Sequence, residues 1–340
     1  MKTILFLISY CLLFVACNSH QENSIQNNTT DTLDAVQRIL FLNEKIKLEP
    51  NNSTLYFQRA QIYFESKDLE SSMNDVNRAL KLDSSNADFY LLLADIYFIK
   101  KEGTKAKETL NKCLEVDSKK TEAYLKLSEI YFLVEQYGKS IENINSALKI
   151  DVHNAKAYFM KGMNYKYAGD TTNAISSMQT AVEQNNDYYD AFMQLGLIFS
   201  AKNDSLAIHY YDNALRIQSL STEAQYAKSL YLQEHGQPEK AIEGYQKILE
   251  TDKNNFVAYF NIGYVNLVYL ENFSHAKESF TRAIELNPKY FEAFCNRGIT
   301  YEKTNDLKNA ESDFRKALEI KPDYVPAAKG ISRVVDKDYD

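Results

Sequence analysis

The sequence predicts an all-α fold built from eight copies of a two-helix repeat. Only 10 Gly and 5 Pro stand against 25 Tyr and 18 Phe in 340 residues, so the chain lacks the turn residues that an all-β sandwich needs. Aromatic residues recur every 34 residues, as at Tyr56, Tyr90 and Tyr124, and small residues recur at other fixed places. A fixed period of this length indicates stacked helical hairpins.

The first sixteen residues have the features of a secretory signal peptide. Lys2 precedes thirteen mostly apolar residues, Ile4 to Ala16, and a small residue stands directly before Cys17. Thirteen helical residues would span roughly 20 Å, which is too short for a hydrocarbon core of about 30 Å. We therefore expect residues 1–16 to direct export and to be removed.

The segment Phe14-Val15-Ala16-Cys17 resembles the lipobox of bacterial lipoproteins. The resemblance implies that Cys17 is acylated, by palmitate among others, and that it anchors an exported chain in the bacterial cell envelope. Asn18 is not the Asp of one inner-membrane retention signal, which favours the outer membrane. Phe14 stands where the family prefers Leu, Val or Ile, so an ordinary signal peptide with an incidental Cys17 is the alternative.

A polar tether and one helix are expected before the repeats. Residues 17–31 are polar and cannot bury enough apolar surface to order themselves, so they predict a flexible tether. Residues 32–48 have apolar residues at helical spacing and end at Pro50, which predicts an N-terminal helix within residues 32–52.

The repeats are predicted at residues 53–86, 87–120, 121–154, 155–188, 189–221, 222–255, 256–290 and 291–324. The eighth residue of each repeat is small: Ala60, Ala94, Ser128, Gly162, Gly196, Ser229, Gly263 and Gly298. Small residues at fixed places let two helices approach closely, while aromatic residues fill the adjacent space. Between the helices, Asp is suited to cap the second helix, and Gly permits a left-handed end of the first.

These residues resemble the tetratricopeptide repeat, a helix–turn–helix unit of 34 residues, over residues 53–324. The resemblance implies a right-handed superhelical α-solenoid with extra terminal helices, and residues 325–340 are expected to form a C-terminal capping helix and tail. It also implies a concave groove, lined by the first helices, that binds a segment of another protein. The sixth repeat diverges most, which predicts a weak point around residues 222–275.

By this resemblance, two series of residues face the groove. The fifth residues of the repeats are Phe57, Leu91, Leu125, Phe159, Met193, Tyr226, Phe260 and Cys295. Seven residues further on, the first three repeats have Phe64, Phe98 and Phe132. Acidic residues, among them Asp95 and Glu129, stand nearby and favour a protein partner with an apolar or basic segment, such as an envelope protein. The alternative is that the apolar residues pack between repeats and the acids are solvated.

Several other functions are disfavoured by the sequence. A net charge of −7 argues against a general nucleic-acid binder. Phosphate-loop, HExxH and GxSxG motifs are absent from the sequence, and the five histidines are scattered, so we expect neither catalysis nor a metal or other cofactor. The predicted function is a non-catalytic, membrane-anchored adaptor. The alternatives are a surface receptor that captures a glycan or another small ligand, and a structural spacer.

Overall fold

A computed structural model describes residues 27–337, and all the regular structure among them is α-helical. The predictions for Cys17 and the signal peptide lie outside the described residues. Residues 27–337, the part of the chain that the structure describes, form eighteen helices. None of the described helices is both long enough and apolar enough to cross a bilayer.

The helices are α1 (Asn27–Leu48), α2 (Ser53–Glu65), α3 (Leu69–Leu82), α4 (Ala87–Ile99), α5 (Gly103–Val116), α6 (Thr121–Leu133), α7 (Tyr137–Ile150), α8 (Ala155–Tyr167), α9 (Thr171–Gln184), α10 (Tyr189–Ala201), α11 (Leu206–Ile217), α12 (Thr222–Glu234), α13 (Pro238–Thr251), α14 (Phe256–Val268), α15 (Phe273–Leu286), α16 (Phe291–Lys303), α17 (Leu307–Ile320) and α18 (Val325–Lys337).

The helices form two compact units, Met1–Ala123 (described from Asn27) and Tyr124–Asp340 (described to Lys337). Within each unit, consecutive helices pack on one another as hairpins that stack on the next hairpin, such as α2 on α3 and α8 on α9. The first helix of every repeat begins at the first residue of the predicted repeat. The predicted all-α solenoid architecture is confirmed.

The small eighth residues pack directly against the second helix of the same repeat. A Cβ atom added to Gly196 would lie 2.5 Å from the ring of Tyr211, and one added to Gly263 would lie 2.8 Å from the ring of Phe280. Ala94 is accommodated in the second repeat, where the corresponding second-helix residue is the smaller Leu110. At Gly196 and Gly263, glycine thus leaves room for a large aromatic ring of the second helix.

The turns within the repeats contain the predicted Asp caps and positive-φ glycines, and in addition several non-glycine residues with positive φ. Asp68, Asp170 and Asp306 accept hydrogen bonds from backbone amides at the starts of α3, α9 and α17. Gly169 and Gly236 end their first helices with positive φ, as expected of glycine. Six non-glycine residues adopt the same left-handed conformation: Lys67, Lys101, Glu135, Asn203, Glu271 and Asn305.

Single helices flank the repeats at both ends. α1 begins at Asn27, within the segment predicted to be a tether and five residues before the predicted helix start at position 32. Helix α18 packs on α16 and α17, and its Gly330 lies against Phe314, where a Cβ atom would be 2.6 Å from the ring. The apolar end of the last repeat is covered by this helix.

Candidate interaction surface

Five of the eight fifth residues of the repeats are buried and so offer little surface to a partner, while Phe57, Tyr226 and Phe260 are half-buried. Leu91, Leu125 and Phe159 retain 6–8% of their exposure, and Met193 and Cys295 retain less. The reason is packing against the following repeat. The ring of Phe57 lies 4.8 Å from that of Phe89 in the next repeat, and the ring of Phe159 lies 5.0 Å from that of Tyr188, the residue directly before α10. The buried members of this series therefore follow the alternative interpretation given above, in which the apolar residues pack between repeats.

The series Phe64, Phe98 and Phe132 is half-buried. Phe64 packs against the buried cluster of the N-terminal unit that contains Val76 and Ile96. Phe132, in the C-terminal unit, contacts two tyrosines at the ends of neighbouring helices. Among the predicted positions, Phe132 lies in an aromatic group that also has exposed apolar neighbours.

That group, here called the Tyr167 patch, consists of Phe132, Leu133, Val134, Tyr137 and Tyr167. The Phe132 ring lies 5.2 Å from Tyr167, edge to face, and 5.7 Å from Tyr137, while the two tyrosines stack at 6.5 Å. Leu133, Val134 and Tyr167 are 49%, 55% and 49% exposed. The aromatic rings hold one another in place while their apolar surface remains accessible to a partner.

Helix ends explain why these residues meet. α6 ends at Leu133, the chain turns at Glu135 with φ near 58°, and α7 begins at Tyr137. The last residue of α8 is Tyr167, one period after Leu133. The sequence analysis missed Leu133, Val134, Tyr137 and Tyr167. The available signal was the thirteenth residue of the repeats, which is apolar in three successive repeats at Ile99, Leu133 and Tyr167.

Carboxylates line the N-terminal ends of other first helices in the C-terminal unit. Burial raises the pKa of Asp190, and burial together with the nearby Asp190 charge raises the pKa of Glu223. Neither carboxylate forms an ion pair with another residue in the described range. The Tyr189 hydroxyl, next to Asp190 in the sequence, lies 2.6 Å from Ser221 Oγ. Two uncompensated carboxylates favour a basic group on a partner.

The two predicted acidic groove residues are less accessible than expected. Asp95 and Glu129 are half-buried, and each takes part in an interaction within the protein. Asp88, another acid on a first helix, forms an ion pair with Lys120 at 2.5 Å. In the fourth repeat, burial lowers the pKa of Lys166, whose Nζ donates a hydrogen bond to Gln194 Oε1 at 2.6 Å. Asp190 and Glu223, by contrast, are exposed acids at the starts of first helices.

A separate cleft of about 410 Å³ lies in the N-terminal unit between α3, α4 and α5. Its walls include the rings of Tyr90 and Tyr97 and the side chains of Asn77, Lys105 and Lys112. The Lys105 ammonium lies 5.5 Å from the centre of the Tyr97 ring. Aromatic faces beside amide and ammonium donors are groups that can contact a polar ring-shaped ligand.

No group of three or more potential metal-ligating side chains is found among residues 27–337. Cys113 and Cys295 are buried free thiols, and burial raises the pKa of Cys113 to about 11. The Cys113 thiol of α5 donates a hydrogen bond of 3.3 Å to the Ala87 carbonyl of α4. A buried thiol of high pKa carries little thiolate at neutral pH, so it is a poor nucleophile.

Comparison with known families finds matches along the repeats. Models described as tetratricopeptide repeat match residues 87–120, 155–188, 257–290 and 291–324, and a model described as TPR repeat matches residues 60–101. Together these matches include repeats from both units of the chain. The helical hairpins to which they correspond are the ones described above.

Curated relatives match over short segments. Human protein O-mannosyl-transferase TMTC3 is 28% identical over 124 residues, which is 36% of this chain and 14% of the relative. The UDP-N-acetylglucosamine--peptide N-acetylglucosaminyltransferase of Giardia intestinalis is 32% identical over 83 residues, 24% of this chain and 6% of the relative. The chain thus spans about a seventh or less of these two enzymes.

Solved structures with the same fold cover more of the chain. The C-terminal part of a TPR repeat-containing protein from Cytophaga hutchinsonii superposes with a TM-score of 0.62 at 20% identity, over 70% of this chain and 98% of that one. Pseudomonas aeruginosa pilF superposes with a TM-score of 0.52 at 14% identity, over 59% of this chain and 92% of that one. At these identities the likeness shows the fold alone.

Proposed function

This chain is a tetratricopeptide repeat protein, and from that premise we propose that it is a non-catalytic adaptor that binds a partner protein through the Tyr167 patch. Repeats of this family imply a scaffold for protein–protein interaction. The observation that carries the proposal is the exposure of Leu133, Val134 and Tyr167 around half-buried Phe132. A contiguous apolar surface on an otherwise polar protein marks an interaction site.

The partner segment is expected to combine apolar and basic residues. Its apolar residues would bury the exposed parts of the Tyr167 patch, and preformed aromatic contacts limit the ordering cost of binding. A basic residue would neutralise Asp190 and Glu223, whose pKa values are raised by burial and, for Glu223, also by the nearby Asp190 charge. An extended or helical segment of another protein can supply both kinds of group.

Anchoring at Cys17 is the second part of the proposal. Its support is the lipobox-like segment Phe14–Cys17, which follows an apolar run of signal-peptide length. Acylation would hold the repeats at the bacterial envelope, and the outer membrane is the membrane that Asn18 favours. An anchor of this kind raises the local concentration of the binding surface near envelope partners. Membrane fractionation tests it, because a Cys17→Ser variant should move to the soluble fraction.

Peptide selection tests the binding surface. A random peptide library is panned on the wild-type protein and on a Leu133→Ser/Val134→Ser/Tyr167→Ser variant. Peptides rich in apolar and basic residues should be enriched on the wild type and lost on the variant. The matched control is Val152→Ser/Leu206→Ser/Leu220→Ser, which removes exposed apolar residues elsewhere in the same unit and should retain the peptides. Equal enrichment on all three proteins would contradict the assignment.

A second candidate function rests on the cleft that contains Tyr90 and Tyr97. Its aromatic walls and polar donors fit a small glycan, and a glycan-capturing surface receptor would use them by stacking and hydrogen bonding. Binding of purified protein to a glycan array, abolished by Tyr90→Ala/Tyr97→Ala, would favour this function. Peptide binding that is unaffected by these two substitutions would favour the adaptor.

A further inference from the structure

Helix α1 occupies the place of a second helix from a preceding repeat. Arg59 Nη1 donates a hydrogen bond of 2.6 Å to Asn43 Oδ1 of α1, and Arg297 Nη1 donates one of 3.1 Å to Thr281 Oγ1 of α15. In both cases the acceptor lies sixteen residues before the arginine. Because α15 is the second helix of the seventh repeat, α1 stacks on the first repeat in the same register.

This register aligns Val36 and Leu40 of α1 with a pair of outward-facing positions on every second helix. In three of the repeats these positions are occupied by Glu70 and Asn74, Glu239 and Glu243, and Lys308 and Ser312. The corresponding pairs in the other five repeats are also exposed, and none carries an apolar side chain.

The outward face of α1 is therefore apolar where all eight repeats are not. Val36 and Leu40 are 54% and 58% exposed, and the neighbouring Phe41 is 62% exposed. Leu42, on another side of the helix, is buried where α1 packs on α2. We call Val36, Leu40 and Phe41 the α1 outer face. Phe41 aligns with Asp75 and Thr109, which are buried against the first helix of their own repeat, so it lies on the side of α1 that a first helix covers in the repeats. Val36 and Leu40 lie on the side that all the other second helices keep polar, so their exposed apolar side chains indicate a contact surface.

The charges around the α1 outer face differ from those of the whole chain. Helix α1 carries three basic residues, Arg38, Lys45 and Lys47, and three acidic residues, Asp31, Asp34 and Glu44, so it is neutral although the whole chain has a net charge of −7. Lys47 forms an ion pair with Glu44 at 2.6 Å. The Lys45 ammonium lies 5.5 Å from the centre of the Phe41 ring. Apolar residues flanked by long basic side chains are typical of a helix that lies in a membrane interface, with its ammonium groups at the headgroups.

We propose that the α1 outer face lies on the surface of the lipid bilayer. This inference rests on the proposed anchor at Cys17, which stands ten residues before Asn27. Ten residues reach about 35 Å even when fully extended, so an acylated Cys17 keeps the start of α1 close to the bilayer. The apolar side chains enter the boundary between headgroups and acyl chains, and the basic side chains contact anionic headgroups.

Tryptophan fluorescence tests the proposal cleanly because the sequence contains no Trp. The acylated full chain carrying Phe41→Trp is purified and reconstituted into phosphatidylcholine–phosphatidylglycerol vesicles with and without brominated lipid. The control variant is Ile99→Trp, at a position of similar exposure on α4 of the same unit. Flotation of the vesicles reports the anchor, while the fluorescence reports α1. Circular dichroism verifies that both variants retain helical content.

The proposal predicts a blue shift of the Phe41→Trp emission on reconstitution and a loss of intensity with brominated lipid, with neither change for Ile99→Trp. If the chain floats and the Phe41→Trp emission is unchanged, the proposal is overturned while the anchor stands. A chain that does not float overturns both. Equal quenching at both positions would also contradict it, as would an emission already blue-shifted without vesicles, because a protein segment would then cover the face.

Discussion

Arg59 and Asp75 form a bidentate ion pair in the first repeat, in which Nε and Nη2 of the arginine each lie 2.6 Å from a carboxylate oxygen. Arg297 and Asp313 form the same pair in the last repeat, at 2.7 and 2.9 Å. The six repeats between them lack this combination of residues. In both end repeats the arginine also bonds to the preceding helix, so the pair joins three helices.

Removing one partner of the first pair should be costly. Asp75→Thr leaves the Arg59 guanidinium, which is 18% exposed, without its carboxylate. We expect a loss of about 3 kcal/mol in the free energy of unfolding, since a nearly buried charge becomes unpaired. The double variant Arg59→Leu/Asp75→Thr copies Leu93 and Thr109 of the second repeat and should recover much of the loss. Urea unfolding of the four proteins measures this coupling, and additive losses would contradict it.

Adding a methyl group at Gly196 should destabilise the fifth repeat. Its Cβ would lie 2.5 Å from the Tyr211 ring, so Gly196→Ala is expected to cost about 1–3 kcal/mol through overpacking. Gly138→Ala is the control, because no atom lies within 4 Å of its added Cβ, and it should be neutral or stabilising. Thermal unfolding of both variants decides the matter. Equal effects at both positions would contradict the proposed close contact.

The two carboxylates Asp190 and Glu223 should make the folding stability of the protein depend on pH. Their folded-state pKa values are raised, so each contributes stability that is present below the unfolded pKa of about 4 and is lost as pH rises through the folded pKa. Asp190→Asn/Glu223→Gln should therefore melt at a higher temperature than wild type at pH 7. The difference should vanish near pH 4.

A matched substitution isolates this effect from general removal of charge. Asp187, three residues before Asp190, forms an ion pair with Arg216 at 2.9 Å, so Asp187→Asn should bring no gain at pH 7. A gain for the double variant that grows toward low pH would contradict the assigned direction of the pKa shifts.

The sixth repeat and the first helix of the seventh should exchange amide protons faster than their neighbours. Five polar side chains are buried there: Gln225, Ser229, Gln233, Asn261 and Asn266. They bury less apolar surface than the aliphatic and aromatic residues of other repeats, and each repeat contacts only its neighbours, so stability should be lowest locally. Hydrogen exchange by mass spectrometry measures this, and uniform protection across the C-terminal unit would contradict it.

The repeats were predictable because their packing is local. A residue such as Gly196 faces a partner fifteen positions later in the same hairpin, so the 34-residue period carries the contact in the sequence itself. The start of α1 was less predictable. Residues 27–31 are polar and show no apolar periodicity, yet they form the first turn of α1, whose Leu42 is buried where the helix packs on α2.

The surface was harder to predict than the fold. Periodicity places Leu91 and Phe159 on a face of a helix but does not reveal that the next repeat covers that face. The Tyr167 patch depends on residues at the ends of three helices, including Val134 in a turn, where the helical pattern stops. Exposure at such positions is set by how adjacent hairpins stack, which a single sequence does not state.

Site-specific photocrosslinking tests the central claim most directly. A photoreactive amino acid is placed at Val134 in the Tyr167 patch and, as the control, at Leu220, an exposed apolar residue of the same unit. In cells that express the protein naturally, we predict a discrete protein adduct from Val134 that is absent from Leu220 and is lost when Tyr167→Ser is added. No adduct at Val134, or the same adducts at both positions, would contradict the claim that this patch binds the partner.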